Sequence, residues 1–322
     1  MTRYNARRLP RTLIPPVDNI LDLVGNTPML RLKNIAGPDS AGIYVKLEYL
    51  SPGGSVKDRI GVGMIARAEQ AGLLQKGGTI IEPTAGNTGI GLALAGVRMG
   101  YRVILCVPEN FSIEKQQVMR ALGGEVVLTP KDKGMKGAIE TAQQMAREIP
   151  NSYVPQQFSN PFNSDAHYET TGAEIYEQMQ GRVDGFVAGA GTGGTFIGVA
   201  RYLKERIRNV YCVVVEPQGS ILKGGEAGPH EIEGIGASSF IPAVLDMSLA
   251  DEIIMVHDEP AFAMVRRLAA EEGVLGAGSA GANVHAALEV AAKLGPGKRV
   301  VTLIPDAAER YISKGIYTKW GS

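Results

Sequence analysis

Short apolar runs rich in Val and Ile alternate with longer helix-patterned stretches along most of this chain, and that rhythm leaves few folds open. Runs at 43–49, 79–82, 102–107, 125–128, 184–189, 211–216, 253–256 and 299–304 predict strands. The stretches 56–74, 88–99, 114–122, 134–148, 166–180, 195–207, 259–272 and 280–293 predict helices. Thr79-Ile-Ile-Glu82 and Val103-Ile-Leu-Cys-Val107 are continuous short apolar runs, as expected of strands covered on both faces. The alternation therefore predicts an α/β fold with mainly parallel sheets flanked by helices. Around 259–272 the punctuation is explicit: Asp258 as N-cap, Pro260 in the first turn and Gly273 past the end. Phe262, Val265, Leu268 and Ala269 supply its core-facing stripe.

With 322 residues, 44% of them apolar, the chain exceeds the size at which a single core stops growing, which predicts two domains. Two segments break the rhythm. Residues 149–164, opening with Pro150-Asn151, read as a polar connector crossing between domains. Residues 217–246 surround Glu233-Gly-Ile-Gly236 and are too long for a plain connection, so they read as an active-site wall. Net charge is zero, with 33 basic and 33 acidic residues, which removes the electrostatic case for nucleic acid or an anionic membrane as partner. No apolar run approaches the ~20 residues that span a bilayer. Arg3, Arg7, Arg8 and Arg11 read as a frayed basic terminus. Cys106 and Cys212 sit in strand runs and read as buried structural thiols, in keeping with a reducing, cytoplasmic setting. No Cys-x-x-Cys pair or helix with spaced histidines supports a metal site. His167, His230, His257 and His285 are scattered and read as surface or capping residues.

Three glycine-rich turns carry the chemistry, each between a predicted strand and a predicted helix: Ser51-Pro-Gly-Gly-Ser-Val-Lys57, Thr84-Ala-Gly-Asn-Thr-Gly-Ile-Gly91 and Gly189-Ala-Gly-Thr-Gly-Gly-Thr195. A helix N-terminus with bare amides is an anion site. Lys57, behind a buried-looking strand, is an amine whose ammonium form burial disfavours. One such amine beside several anion cradles suits a phosphorylated aldehyde cofactor. Gly189 to Gly194 also match G-x-G-x-x-G, and Glu216 ends the next strand, so a nicotinamide dinucleotide is the rival. Against it, Thr192 and Thr195 interleave with Gly191, Gly193 and Gly194, a donor set suited to a compact dianion. A dehydrogenase would also leave Lys57 and the Asn87 turn without a task. The bland alternatives are a structural tight turn at 189–194 and an Asx-type cap at Asn87. Neither accounts for three glycines and three polar residues within Thr84–Gly91.

The full motif set comprises Gly25-Asn-Thr-Pro28, Lys46-Leu-Glu48, Pro52-Gly-Gly-Ser-Val-Lys-Asp-Arg59, Glu82-Pro-Thr-Ala-Gly-Asn-Thr-Gly-Ile-Gly91, Gln157-Phe158, Gly191-Thr-Gly-Gly-Thr195, Glu233-Gly-Ile-Gly236 and Gly278-Ser-Ala-Gly281. It resembles the cysteine synthase and cystathionine β-synthase family, pyridoxal-phosphate enzymes of fold-type II, from about residue 18 to 315. The resemblance implies a larger domain (1–50 with 160–322) holding the cofactor phosphate and a smaller mobile one (51–159). It implies that Lys57 is the cofactor-linking lysine, that Gly191, Thr192, Gly193, Gly194 and Thr195 form the phosphate loop, and that Asn87 meets the ring hydroxyl. Ser279 would face the pyridine nitrogen, where a hydroxyl makes the ring a weaker electron sink than a carboxylate would. Thr84, Asn87, Thr88 and Gln157 would clamp the substrate carboxylate, with Gly234 on the loop that closes over the substrate amine.

In one departure, Ala85 stands where the family usually has Ser, which removes a hydroxyl near the β-carbon and leaves more room. With Glu216-Pro-Gln-Gly-Ser-Ile-Leu222 and Phe240-Ile-Pro242, this resembles the short bacterial enzymes joining O-acetylserine to homocysteine. The implied activity is β-replacement on O-acetylserine (or serine) by a thiol, homocysteine before sulfide, in a homodimer. A catalytically silent binding relative and a serine or threonine deaminase are the remaining alternatives. The Thr84–Thr88 turn does not look like that of the deaminases.

Overall fold

The computed structural model describes residues 15–84 and 86–320. Arg3, Arg7, Arg8 and Arg11 lie outside the described residues. The strands are β1 (Met29–Arg31), β2 (Gly42–Leu47), β3 (Thr79–Pro83), β4 (Arg102–Pro108), β5 (Glu125–Thr129), β6 (Ser152–Tyr153), β7 (Gly185–Gly189), β8 (Tyr211–Pro217), β9 (Glu252–Val256) and β10 (Arg299–Ile304). The helices are α1 (Lys57–Gln70), α2 (Asn87–Arg98), α3 (Ile113–Ala121), α4 (Gly134–Glu148), α5 (Pro161–His167), α6 (Ala173–Gln178), α7 (Gly194–Arg206), α8 (Asp258–Glu272) and α9 (Gly278–Leu294).

The strands form two sheets, one ordered β1-β2-β10-β7-β8-β9 and the other β5-β4-β3-β6. Every pairing is parallel except β1 with β2, as the alternation of strands and helices predicts. Both sheets are covered on both faces, which is why their strands read as unbroken apolar runs. In the larger sheet Val187, Val213 and Val215 pack toward α8 and α9, while Phe186, Cys212 and Val214 pack toward α6 and α7. In the smaller one Ile80, Val103 and Leu105 meet α1 and α2, while Ile81, Ile104 and Cys106 meet α4. Both cysteines are free and buried, as expected of structural thiols. None of the described helices is long and apolar enough to cross a membrane.

Four expectations are corrected. The supposed connector 149–164 contains β6, and α5 already starts at Pro161. Pro161 is helix-compatible at the first position, where its missing N–H is not needed, and Asn160 caps the turn by accepting from Phe162 N–H at 3.0 Å. A π-turn at Tyr168–Gly172 joins α5 to α6 within the predicted 166–180 helix. Asp258 is the first residue of α8 rather than its cap; its carboxylate accepts the N–H groups of Glu231 (2.9 Å) and Ile232 (3.2 Å), pinning the long loop. His167 is fully buried rather than on the surface.

Candidate active site

Parallel sheets present their ligand-binding loops at the carboxyl ends of their strands. Here the turn after β3 opens α2 and the turn after β7 opens α7; after β10 the chain runs into Pro305-Asp306. The Pro52–Val56 turn is stitched to this last segment: Val56 N–H donates to Pro305 O at 2.8 Å, and Ser55 bridges Asp306. Gly53 N–H donates to the Asp58 carboxylate at 2.6 Å, and a Cβ on Gly53 would lie 2.3 Å from that carboxylate. Arg59 in turn reaches Glu48 (2.6 Å) and Glu174 (2.7 Å) inside the protein, with Lys46 also on Glu174 at 2.7 Å. Burial alone would raise the Glu174 carboxyl, but Arg59 and Lys46 hold it down to about 2. The charged residues around Lys57 in the motif are thus scaffold, fixing the first turn of α1.

These turns enclose a two-chambered cleft. The inner chamber, about 580 Å³ including space open to solvent, is lined by Lys57, Asn87, Gly191, Thr192, Ser279 and Asp306, with Gly193, Thr195 and Gly234 on its wall. An outer chamber of about 920 Å³ shares Lys57, Asn87 and Gly234 and adds Thr84, Thr88, Lys115, Gln157 and Tyr311. Lys57 keeps some surface toward the cleft, but burial lowers its amine to about 8, against a partial offset from Asp306. About a tenth of it is therefore free base at pH 7, against well under a thousandth for an exposed lysine.

Gly193, with φ +88°, caps α7 in the left-handed region that an L-side chain resists. A Cβ on Gly191 would lie 2.4 Å from Gly234 O, so the two loops meet backbone to backbone. Gly194 faces away from the inner chamber and packs on Asn163, whose side chain donates to Thr192 Oγ1 (3.0 Å) and Gln157 O (2.8 Å). Thr195 Oγ1 is bonded to His167 Nε2 at 3.2 Å, and His167 Nδ1 to Thr171 at 2.8 Å. Burial first, then Lys57 and Arg59, hold His167 well below its ordinary value, so it is neutral. This cradle consists of helix-end amides and hydroxyls.

At the other end, Thr88 donates to Gln157 Oε1 at 2.6 Å, both side chains buried. Thr84 is buried at the lip, while Ala85 lies outside the described residues. Asn87 is more constrained than its motif suggests. It donates to Asp306 at 2.7 Å and accepts from Arg310 at 2.8 Å, so both ends of its amide are engaged. Ser279 sits in the first turn of α9, which Asn283 ties to β7 and β10 through Gly189 N (2.8 Å) and Leu303 O (3.1 Å).

Sequence reasoning missed the rim. Lys115 of α3 donates to Glu233 (3.1 Å) and to Tyr311 Oη (3.2 Å), and Tyr311 donates to Asp306. Burial would raise the Glu233 carboxyl, but Lys115 and Lys314 outweigh it and hold it low. Burial raises Asp306, partly offset by Tyr311 and Asn87. The available signal was positional: Asp306 directly follows a central parallel strand. The dinucleotide alternative loses its key residue. Glu216 is fully buried, accepts Leu222 N–H at 3.1 Å and does not line the cleft.

The profile of the family described as pyridoxal-phosphate dependent enzyme matches residues 20–306. The chain is 51% identical to the O-acetylserine dependent cystathionine beta-synthase of Bacillus subtilis strain 168, covering 94% of this chain and 98% of that one. It is 47% identical to a cysteine synthase of Staphylococcus aureus strain Mu50, with the same two coverages. Its fold superposes on the crystal structure of O-acetylserine dependent cystathionine beta-synthase from Helicobacter pylori with a TM-score of 0.88. That match has 48% identity and covers 94% of this chain and all of the other.

Proposed function

Because the chain belongs to the pyridoxal-phosphate dependent enzymes, we propose that it carries out β-replacement on O-acetylserine, with homocysteine as the thiol and cystathionine as product. The residues present fit the cofactor. Gly191 admits no Cβ against Gly234, and the 191–195 turn offers a helix N-terminus plus two hydroxyls to a phosphate. Lys57 supplies the amine. Pyridoxal phosphate, when bound, supplies an aldehyde that condenses with amines and a ring that withdraws electrons from the α-carbon.

Around it, Gly191 to Thr195 hold the phosphate, Asn87 and Ser279 contact the ring, and Thr84, Thr88 and Gln157 hold the donor carboxylate, with Gly234 above the donor amine. Lys57 Nζ, lowered to about 8, removes the donor's α-proton as acetate departs from the β-carbon, and returns a proton after the thiol has added. The 51–159 segment is proposed to close as a unit over the donor. A homodimer in the cytoplasm belongs to the same reading.

The observation that favours an amino-acid thiol over sulfide is the rim pair. Lys115 and Glu233 both line the outer chamber, a cation and an anion in contact. A zwitterionic thiol can exchange with that pair, its carboxylate toward Lys115 and its ammonium toward Glu233. Sulfide has no use for either. The test compares kcat/KM for homocysteine and sulfide with O-acetylserine as donor, in the parent and in Lys115→Met. Homocysteine is expected to lead in the parent, and the variant to raise homocysteine KM roughly tenfold, the loss of one charge-assisted contact, while the donor KM holds. A sulfide preference in the parent, with both KM values untouched by the variant, returns the chain to cysteine synthase.

A further inference from the structure

Glu82 is the one carboxylate of the Glu82–Gly91 motif. It stands near the end of β3, 1% exposed. Its neighbours across the ladder are β4 on one side and β6 on the other, but β6 stops at Tyr153, which pairs with Ile80. Beyond that point β3 has no strand partner on the β6 side. The Glu82 carboxylate takes over that role, accepting Gln156 N–H on Oε2 (2.8 Å) and Gln157 N–H on Oε1 (3.1 Å).

The loop so held is strained and central. Gln156 has φ +56°, a left-handed conformation that a non-glycine residue adopts at a cost. Gln157 bonds Thr88 through its side chain, and its carbonyl accepts from Asn163, which also bonds Thr192. Glu82 thus lies behind a chain of bonds joining the carboxylate end of the cleft to the phosphate end. The groups around it are uncharged. Cys106 of β4 has its thiol pushed up to about 11 by burial and then by Glu82, and Tyr153 of β6 is raised by burial, against a partial offset from its bond to Asn160. α4 presents Ile139, Ala142 and Gln143 to the same cavity.

We propose that Glu82 is a positioning residue, whose ionised carboxylate sets Gln157 and Thr88 for the α-carboxylate of the donor amino acid. This rests on the reading that Gln157 and Thr88 hold that carboxylate. An ionised carboxylate accepts two N–H groups at once. Its protonated form, or a glutamine, spends one of its positions on a donor and turns a hydrogen toward an N–H. Burial raises Glu82 to about 7, against the pull of Gln157 and Gln156, so the two-acceptor form is lost as pH falls through that value.

The experiment measures donor and thiol KM, kcat and cofactor absorbance for the parent, Glu82→Gln and Gln157→Ala holoenzymes between pH 6 and 8.5. Expected results are a donor KM that rises as pH falls below 7 in the parent. Glu82→Gln should lose that pH dependence and show a donor KM raised on the order of tenfold at pH 8, as for one lost charge-assisted bond. Thiol KM and cofactor absorbance should be unchanged. If Gln157→Ala raises donor KM but Glu82→Gln does not, the positioning role is overturned while the carboxylate reading stands. If Gln157→Ala leaves donor KM unchanged, both fall. A parallel loss of kcat, both KM values and cofactor absorbance in Glu82→Gln would mark a purely structural role and overturn the proposal. Should that variant fail to fold, a parent donor KM that is flat from pH 8.5 to 6 overturns it, and one that rises below 7 supports it.

Discussion

Substituting Gly91→Ala should move the first turn of α1 while leaving every cleft-facing side chain chemically unchanged. Gly61 and Gly91 let α1 and α2 meet backbone to backbone: a Cβ on Gly61 would lie 2.3 Å from Gly91 O, and one on Gly91 would lie 2.4 Å from Lys57 O. Ordinary Cβ contact begins at 3.4 Å, so the Lys57 peptide must retreat by about 1 Å for the methyl to fit. Helix propensity favours alanine by ~1 kcal/mol, while overpacking against backbone costs ~1–3 kcal/mol, so a net destabilisation of up to ~2 kcal/mol is expected. That corresponds to a fall in Tm of up to roughly 3 °C for a protein of this size. The catalytic effect should be larger, because a 1 Å misplacement of a reacting group can cost ~100-fold in rate. The assay is thermal melting of the holoenzyme together with kcat at saturating donor and the visible absorbance of the bound cofactor. Gly37→Ala, with open space around its Cβ, is the control. If Gly91→Ala melts with the parent and keeps its kcat, the contact between the two helices does not position Lys57.

Two further outcomes follow from buried charge. The Lys57 amine titrates near 8 in the fold and at 10.5 when exposed, so between those values the unfolded chain binds the extra proton and stability rises with pH. Denaturant melts of the cofactor-free protein should therefore gain up to ~3 kcal/mol from pH 8 to 10.5 relative to Lys57→Met, and parallel curves for the two would refute it. Arg59→Met leaves Glu48 buried without its cation and should cost ~3–5 kcal/mol in chemical denaturation; a loss under 1 kcal/mol would show that Lys46 alone neutralises the cluster.

The turns that build the cleft were legible because their signals are local. Glycine at 191 and 193, Asn87 at a helix start and Lys57 behind Pro52-Gly53-Gly54 each state a backbone requirement within a few residues. The strand runs were legible for a similar reason, since burial on both faces leaves few polar positions to obscure them. Short elements were not. β1 and β6 have three and two residues and owe their form to their neighbours. Asn160-Pro161 carries a helix-start signal that can equally be read as a breaker. The rim of Lys115, Glu233, Asp306 and Tyr311 was out of reach because its members come from three distant segments, each ordinary in its own surroundings. His167 was misjudged because only the fold brings Thr195 of α7 to its second nitrogen and buries the ring.

The placement of β10 sets an order on how such a molecule can be made. It is the last strand synthesised, yet it lies between β2 and β7, with Arg299 beside Gly42. At ~5–20 residues per second, a ribosome needs roughly 13–50 s to travel from one partner to the other. Through that interval the nascent chain holds two open apolar edges that must neither pair with each other nor capture a neighbouring chain. The four-stranded sheet, drawn from residues 79–153, can close meanwhile. A polypeptide halted before β10 therefore has a gap down the middle of its larger sheet, not a missing edge.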